Sequence, residues 1–172
     1  MSAMSKSSKA NPPAQVRPSR NGLGLFAVSG IRRGGQACVL DGNLVHWEDL
    51  IDIGGIILDN AYRYSDDYYL SPSGVGNYIN HSCEPNIGIR KVGRKLVMAA
   101  IRQIRAGEEL AFDYSTVTGD DDSWTMRCKC GSGSCRKLVG PYGRLPRRRR
   151  EKYSRQGIVP DCVLMASLSK EI

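Results

Sequence analysis

Three thiols, an imidazole and a phenol stand at spacings that could hold a metal and grip a polar ligand. The thiols are Cys128, Cys130 and Cys135, in Cys128-Lys129-Cys130-Gly131-Ser132-Gly133-Ser134-Cys135. The imidazole belongs to Asn80-His81-Ser82-Cys83-Glu84-Pro85-Asn86, and the phenol ends Glu109-Leu110-Ala111-Phe112-Asp113-Tyr114. Zinc favours four soft donors in a tetrahedron, so one short loop with three thiols calls for a fourth ligand from elsewhere. Cys83, beside a proline in a polar turn, is the best candidate. Cys38 lies in an apolar strand and reads as core, and Cys162 sits between apolar residues near the end of the chain. Four thiolates leave no open coordination position, so such a zinc is structural.

Asn80, His81 and Asn86 taken singly could do no more than satisfy turn backbone. The place of His81 between Asn80 and Cys83 ties that turn to the metal. Phe112-Asp113-Tyr114 reads as a strand end, with Phe112 in the core and Tyr114 able to present its hydroxyl at an edge. Gly22-Leu23-Gly24 alone is a turn at which glycine permits positive φ and the close approach of a ligand.

The elements that must position these groups are short strands. The 172 residues suffice for one domain with a real core plus tails, and 19 glycines with 8 prolines favour many turns over a helix bundle. Strands are expected at Leu25–Val28, Gln36–Leu40 (closed by Asp41-Gly42), Ile56–Leu58, Tyr68–Leu70, Lys95–Ala100 and Leu110–Tyr114. Short helices are expected near Trp47–Ile53 and Val159–Ile172. The chain divides into a disordered arm over 1–17, a main domain over 18–117, a cysteine segment over 118–143 and a basic tail over 144–172, with Pro141–Arg155 as a linker.

The net charge of +8 is uneven. Residues 1–20 carry four bases and no acid, and residues 136–172 carry ten bases and three acids, so residues 21–135 sum to 8 − 4 − 7 = −3. Basic ends attract polyanions, whereas the mildly acidic middle attracts a basic peptide. Asp120-Asp121-Asp122 could steer such a peptide or be a solvated loop. Arg147–Arg150 could bind nucleic acid, direct nuclear import or be a solvated tail. No apolar run approaches the ~20 residues that span a bilayer. Six cysteines without a secretory signal favour a metal site and an intracellular location, nuclear in a eukaryote or cytoplasmic in a prokaryote.

Taken in order, Gly22-Leu23-Gly24-Leu25-Phe26-Ala27, the Asn-His-Ser-Cys motif, Glu109 to Tyr114 and Cys-x-Cys-x₄-Cys resemble the SET-domain protein-lysine methyltransferases that carry a post-SET zinc segment. The resemblance spans roughly residues 18 to 143. It implies a mainly β fold of small sheets around a pseudoknot, with the second and third motifs brought together. It implies S-adenosylmethionine as methyl donor, held by Gly22, Leu23, Gly24, Asn80 and His81. It gives zinc to Cys83, Cys128, Cys130 and Cys135, and the catalytic role to Tyr114 with Tyr69 in the lysine channel. Phe112 stands where tyrosine limits transfer to one methyl, so di- or trimethylation is expected. The implied substrate is lysine in a basic, histone-like protein. A catalytically weak peptide-binding scaffold and a nucleic-acid-associated protein are the alternatives. The chain departs from the family at Asn77, where arginine is frequent, and at Lys137, where glycine is common. It also has a shortened stretch from Ser71 to Ile79.

Overall fold

The computed structural model describes residues 14–52 and 60–168. The expected strand Ile56–Leu58 lies outside them, as do residues 1–13 and 169–172. Two strands, β1 (Ala14–Ser19) and β2 (Gly22–Ala27), form an antiparallel hairpin with Ser19 opposite Gly22. Gly22 takes φ +98°, which a side chain would resist. Ala14–Arg17, at the end of the arm expected over 1–17, are strand. Arg17 is held there by its guanidinium, 4.2 Å from the Phe26 ring centre, and by a hydrogen bond to the Gly107 carbonyl at 3.2 Å.

The largest sheet is antiparallel with five strands, in the order β4 (Tyr62–Arg63), β5 (Tyr68–Ser73), β3 (Gln36–His46), β8 (Lys95–Ala100), β7 (Ile87–Val92). Strand β3 does not stop at Asp41-Gly42. Its first half pairs with β8 and its second half with β5, and the short helix α1 (Trp47–Asp52) follows. Gly42 makes this continuation feasible, since a Cβ there would lie 2.1 Å from the Ser71 carbonyl oxygen. The glycine serves close strand approach instead of a turn. Leu25, Leu40, Ile87, Ile89, Met98, Ile104, Leu110 and Phe112 form the main core, together with Cys38.

Two two-residue strands set the site. Strand β6 (Asn80–His81) pairs in parallel with β9 (Ala111–Phe112), Asn80 opposite Ala111 and His81 opposite Phe112. The buried Asn86 side chain secures the joint, donating to the Glu109 carbonyl at 2.7 Å and accepting from the Ala111 N–H at 2.9 Å. One asparagine thereby replaces a missing strand partner on both backbone polarities.

Strands β10 (Met126–Arg127) and β11 (Leu138–Val139) close the cysteine loop into a hairpin. Beyond it the chain is neither linker nor tail. A turn of 3₁₀ helix (Tyr142–Arg144), α2 (Arg147–Arg155) and α3 (Asp161–Leu168) enclose a second core of Tyr142, Leu145, Tyr153, Ile158, Val159 and Val163. Ile158 seats directly on Gly88 of β7, where a Cβ would fall 2.5 Å from the isoleucine. Arg90 adds a hydrogen bond to the Gln156 carbonyl at 2.9 Å. Both faces of β8 are buried as a result, from Leu96 through Ala100. Among the described residues no helix is long and apolar enough to cross a membrane.

Lys137 is the one described non-glycine residue with positive φ, at 67°. Its carbonyl accepts the Cys128 N–H at 2.8 Å, which fixes that backbone shape. A left-handed conformation costs an ordinary residue about 1–2 kcal/mol, and glycine forfeits part of that gain through its freer unfolded chain. Lys137→Gly is expected to stabilise the protein by about 1 kcal/mol. A denaturation midpoint that falls instead would show that Lys137 is unstrained.

Candidate active site and cysteine cluster

Asn80 is the bracket between the hairpin and the β6–β9 joint. Its amide donates to the Leu23 carbonyl at 3.0 Å and to Glu109 Oε1 at 2.7 Å. The Ser19 hydroxyl donates to the same carboxylate oxygen at 2.7 Å. A Cβ on Gly24 would lie 2.3 Å from that oxygen, so Gly24 lets the Glu109 carboxylate approach the hairpin this closely. Gly22, Asn80 and His81 line an open cleft of about 530 Å³, whereas Leu23 and Gly24 do not reach its wall. Arg20, Arg127 and Lys129 also line the cleft and make it cationic. Arg20 packs flat over Gly131, where a Cβ would sit 2.6 Å from its guanidinium carbon, and so links the hairpin to the cysteine loop.

On the other side of Tyr114 lies a narrow aromatic pocket with room for about 30 Å³, walled by Tyr62, Tyr69, Ile79, Phe112, Tyr114 and Trp124. Tyr62 stacks on Phe112 with ring centres 5.5 Å apart, and Phe112 meets Tyr114 at 4.8 Å. The Tyr62 hydroxyl donates to the Gly76 carbonyl at 2.9 Å and the Tyr114 hydroxyl to the Ile79 carbonyl at 2.7 Å. Burial pushes the Tyr69 phenol up to about 12 and raises that of Tyr114 as well, so both keep their protons at neutral pH. Tyr114 borders the cleft and the pocket alike.

Sequence reasoning missed Tyr62 and Trp124. The signals were present: Tyr62 alternates with Tyr64 in a strand pattern, and Trp124 is an aromatic just ahead of the cysteines. Neither has a polar motif around it.

The thiols converge beside the cleft. Cys83 and Cys128 place their sulfurs 3.8 Å apart. Tetrahedral zinc with Zn–S near 2.3 Å requires sulfurs about 3.8 Å apart, so this pair has the right spacing for a shared ion. One donor atom each from His81, Cys83, Cys128 and Cys130 falls within 4.8 Å of all the others. Cys135 stands just outside this group, with its sulfur 3.8 Å from the Cys128 carbonyl oxygen. Burial pushes the Cys83 and Cys128 thiols up, so the pair ionises readily only against a cation.

His81 is a neighbour of the cluster with its own task. Its Nδ1 accepts the Tyr114 backbone N–H at 3.2 Å, which leaves the ring proton on Nε2, 3.3 Å from the Cys83 sulfur. Burial lowers its pKa to about 4, so the ring is neutral and its 3.7 Å approach to Asp113 is no ion pair at neutral pH. An Nε2 that carries hydrogen donates to a thiolate and cannot bind metal.

Asp113 gathers the surroundings. Its side chain is 0% exposed and receives two hydrogen bonds from Arg136, at 2.6 and 2.7 Å, one from the Tyr153 hydroxyl at 3.0 Å and one from the Ser115 N–H at 3.2 Å. Arg149 stands 4.0 Å away and also donates to the Cys83 carbonyl. The acidic stretch is mostly committed too. Asp121 pairs with the buried Arg63, and Asp120 accepts the Gly143 N–H at 3.1 Å. Asp122 accepts the Trp124 N–H at 2.8 Å and lies at the edge of the aromatic pocket.

The SET domain family profile matches residues 22–115. Histone-lysine N-methyltransferase Su(var)3-9 of Drosophila melanogaster is 27% identical over 147 residues, covering 69% of this chain and 23% of that protein. The probable histone-lysine N-methyltransferase set-23 of Caenorhabditis briggsae is 44% identical over 70 residues, 38% of this chain and 29% of its own length. An H3 lysine-4 specific histone-lysine N-methyltransferase of Cryptococcus neoformans is 31% identical over 135 residues, 70% of this chain and 9% of that protein. The chain thus spans under a third of these relatives' lengths. A profile match that runs from the glycine turn through Tyr114, on a fold that joins those segments, places the chain in the SET domain family.

Proposed function

We propose that the chain transfers methyl groups from S-adenosylmethionine to lysine in a basic protein of the histone type. The observation that carries this reading is the position of Tyr114 as the wall between a cationic cleft and an aromatic pocket. A donor on one side and an acceptor on the other would meet at its hydroxyl. The relatives' names supply the substrate class, and with it a nuclear location.

The cleft suits the methyl donor. Its 530 Å³ lies in the range of small-molecule sites. Arg20, Arg127 and Lys129 match a carboxylate, and the backbone at Gly22 is open, with no atom within 4 Å of a Cβ position. When bound, S-adenosylmethionine supplies an electrophilic methyl on a sulfonium. The protein supplies alignment and electrostatics. Free lysine has a pKa of ~10.4 and must lose its proton to attack. The walls of Tyr62, Tyr69, Phe112 and Trp124 exclude water from the side chain and favour the neutral amine. The proton leaves to water through the pocket mouth, where Asp122 already holds the Trp124 backbone. The Tyr114 oxygen keeps a free lone pair after donating to Ile79 and can accept from the reacting methyl or amine hydrogens.

Zinc is assigned to Cys83, Cys128, Cys130 and Cys135, with His81 as hydrogen-bond donor to Cys83. Cys135, with its sulfur 3.8 Å from the Cys128 carbonyl oxygen, is the fourth thiol of this assignment, and the His81 ring proton disfavours the imidazole as a ligand. The metal then braces the cleft wall and performs no chemistry.

Tyr114→Phe is expected to lower kcat about 10²- to 10³-fold with cofactor affinity preserved. Labelled methyl transfer to histones and calorimetry test this together, and a variant as active as the parent would remove Tyr114 from the mechanism. Phe112→Tyr is expected to convert a di- or trimethylating enzyme to monomethylation, read by mass spectrometry of a lysine peptide. A parent that stops at one methyl contradicts the assignment. Cys135→Ser is expected to lose zinc and transfer activity, and His81→Ala to retain one zinc per chain by atomic emission. The opposite pattern would make His81 the fourth ligand.

A further inference from the structure

Helix α2 reads Arg147-Arg148-Arg149-Arg150-Glu151-Lys152-Tyr153-Ser154-Arg155, with six bases and one acid. Its inward face is accounted for. Tyr153 and Arg149 reach Asp113, and Arg149 also holds the Cys83 carbonyl. Arg147 pairs with Glu151 at 2.9 Å. The outward face is not accounted for by folding. Arg148, Lys152 and Arg155 follow one another at i, i+4 and i+7, so they form a single stripe along the helix. All three are exposed, and none has a side-chain hydrogen bond or ion pair among the described residues.

Arg148, in the first turn, faces the positive end of the helix dipole and repels Lys152 at i+4. Lys152 and Arg155, in the last turn, suit the negative end of the dipole. The stripe is thus three exposed cations in one line, a charge that an external polyanion complements.

We propose that α2 is a docking ridge for the phosphate backbone of duplex nucleic acid. The stripe runs about 10 Å along the helix axis, the axial run of about three phosphates on one strand. Arg148 and Lys152 border an open depression of about 730 Å³ that also holds Arg102, and Arg155 with Arg147 borders another of about 770 Å³. A ridge with a furrow on each side can seat a backbone. No exposed aromatic stands on α2 to stack an unpaired base, since Tyr153 is buried, so the fit is to a duplex and not to a single strand. Contacts made only to phosphates are indifferent to sequence. The inference is independent of methyl transfer.

The test is fluorescence anisotropy of the full chain with labelled 25-base-pair DNA and RNA duplexes across a salt series. Binding is expected, with log affinity falling linearly in log salt. Arg148→Gln/Lys152→Gln/Arg155→Gln should reduce that slope by about 2 to 3, at roughly 0.9 per lost phosphate contact, and weaken binding at least tenfold. The RNA arm decides which duplex is preferred. A control, Lys6→Gln/Lys9→Gln in the basic N-terminal segment, should leave most of the slope intact. Circular dichroism and zinc content check that each variant is folded, and Arg148→Gln alone, expected to lower the slope by about 1, is the second variant. An unchanged slope in the triple variant overturns the proposal, as does a slope carried by Lys6 and Lys9. Equal affinity for polyglutamate or for anionic vesicles of phosphatidylserine overturns it too, since the surface would then be generically cationic.

Discussion

A carboxylate with no access to water organises the region around Tyr114. Asp113 sits between Phe112, which walls the aromatic pocket, and Tyr114, which divides pocket from cleft. A buried charge is costly unless its lone pairs are filled and an opposite charge is near. Arg136 fills that need with two parallel hydrogen bonds, and the Tyr153 hydroxyl and Ser115 N–H complete the set. Each partner comes from a different part of the chain: the cysteine loop, helix α2 and the turn after Tyr114. Removing one would leave an uncompensated charge in the interior, so the three segments are held in place together.

The consequence is that the cysteine cluster, the C-terminal helices and the site form one body. Arg136 follows Cys135, and its backbone N–H also donates to the Cys83 sulfur at 3.4 Å. Arg149 adds the Cys83 carbonyl to the same network. His81 touches all of it, accepting from the Tyr114 backbone and donating to Cys83. A metal bound by the thiols would therefore fix the backbone on which the cleft and Tyr114 are mounted.

The distribution of charge follows the same division of labour. Acids that the sequence offers as a steering patch mostly hold the structure: Asp121 neutralises buried Arg63, and Asp120 caps the turn at Gly143. Bases that read as a solvated tail split into two classes. Arg149 is consumed inside, and Arg148, Lys152 and Arg155 are turned outward on a folded helix.

Local chemistry was legible in the sequence by itself. The cysteine spacing, the Asn-His-Ser-Cys turn and the Phe-Asp-Tyr strand end point to thiols that could share a metal and to a tyrosine beside them, and the fold does bring His81, Cys83, Cys128 and Cys130 together. Short strands with turn signals gave a β-rich domain. Tertiary structure decided what depends on partners distant in the chain. It carried β3 through Asp41-Gly42, because Gly42 lies against Ser71. It folded the basic segment, since Tyr142, Leu145, Tyr153 and Ile158 are too scattered among arginines to show a helical period but meet in one core. It assigned Gly24 to packing and Gly22 to the cleft, and it recruited Tyr62 and Trp124 to the pocket. Hydrogen bonding and burial are properties of neighbours in space, and sequence spacing reports them only when those neighbours lie close along the chain.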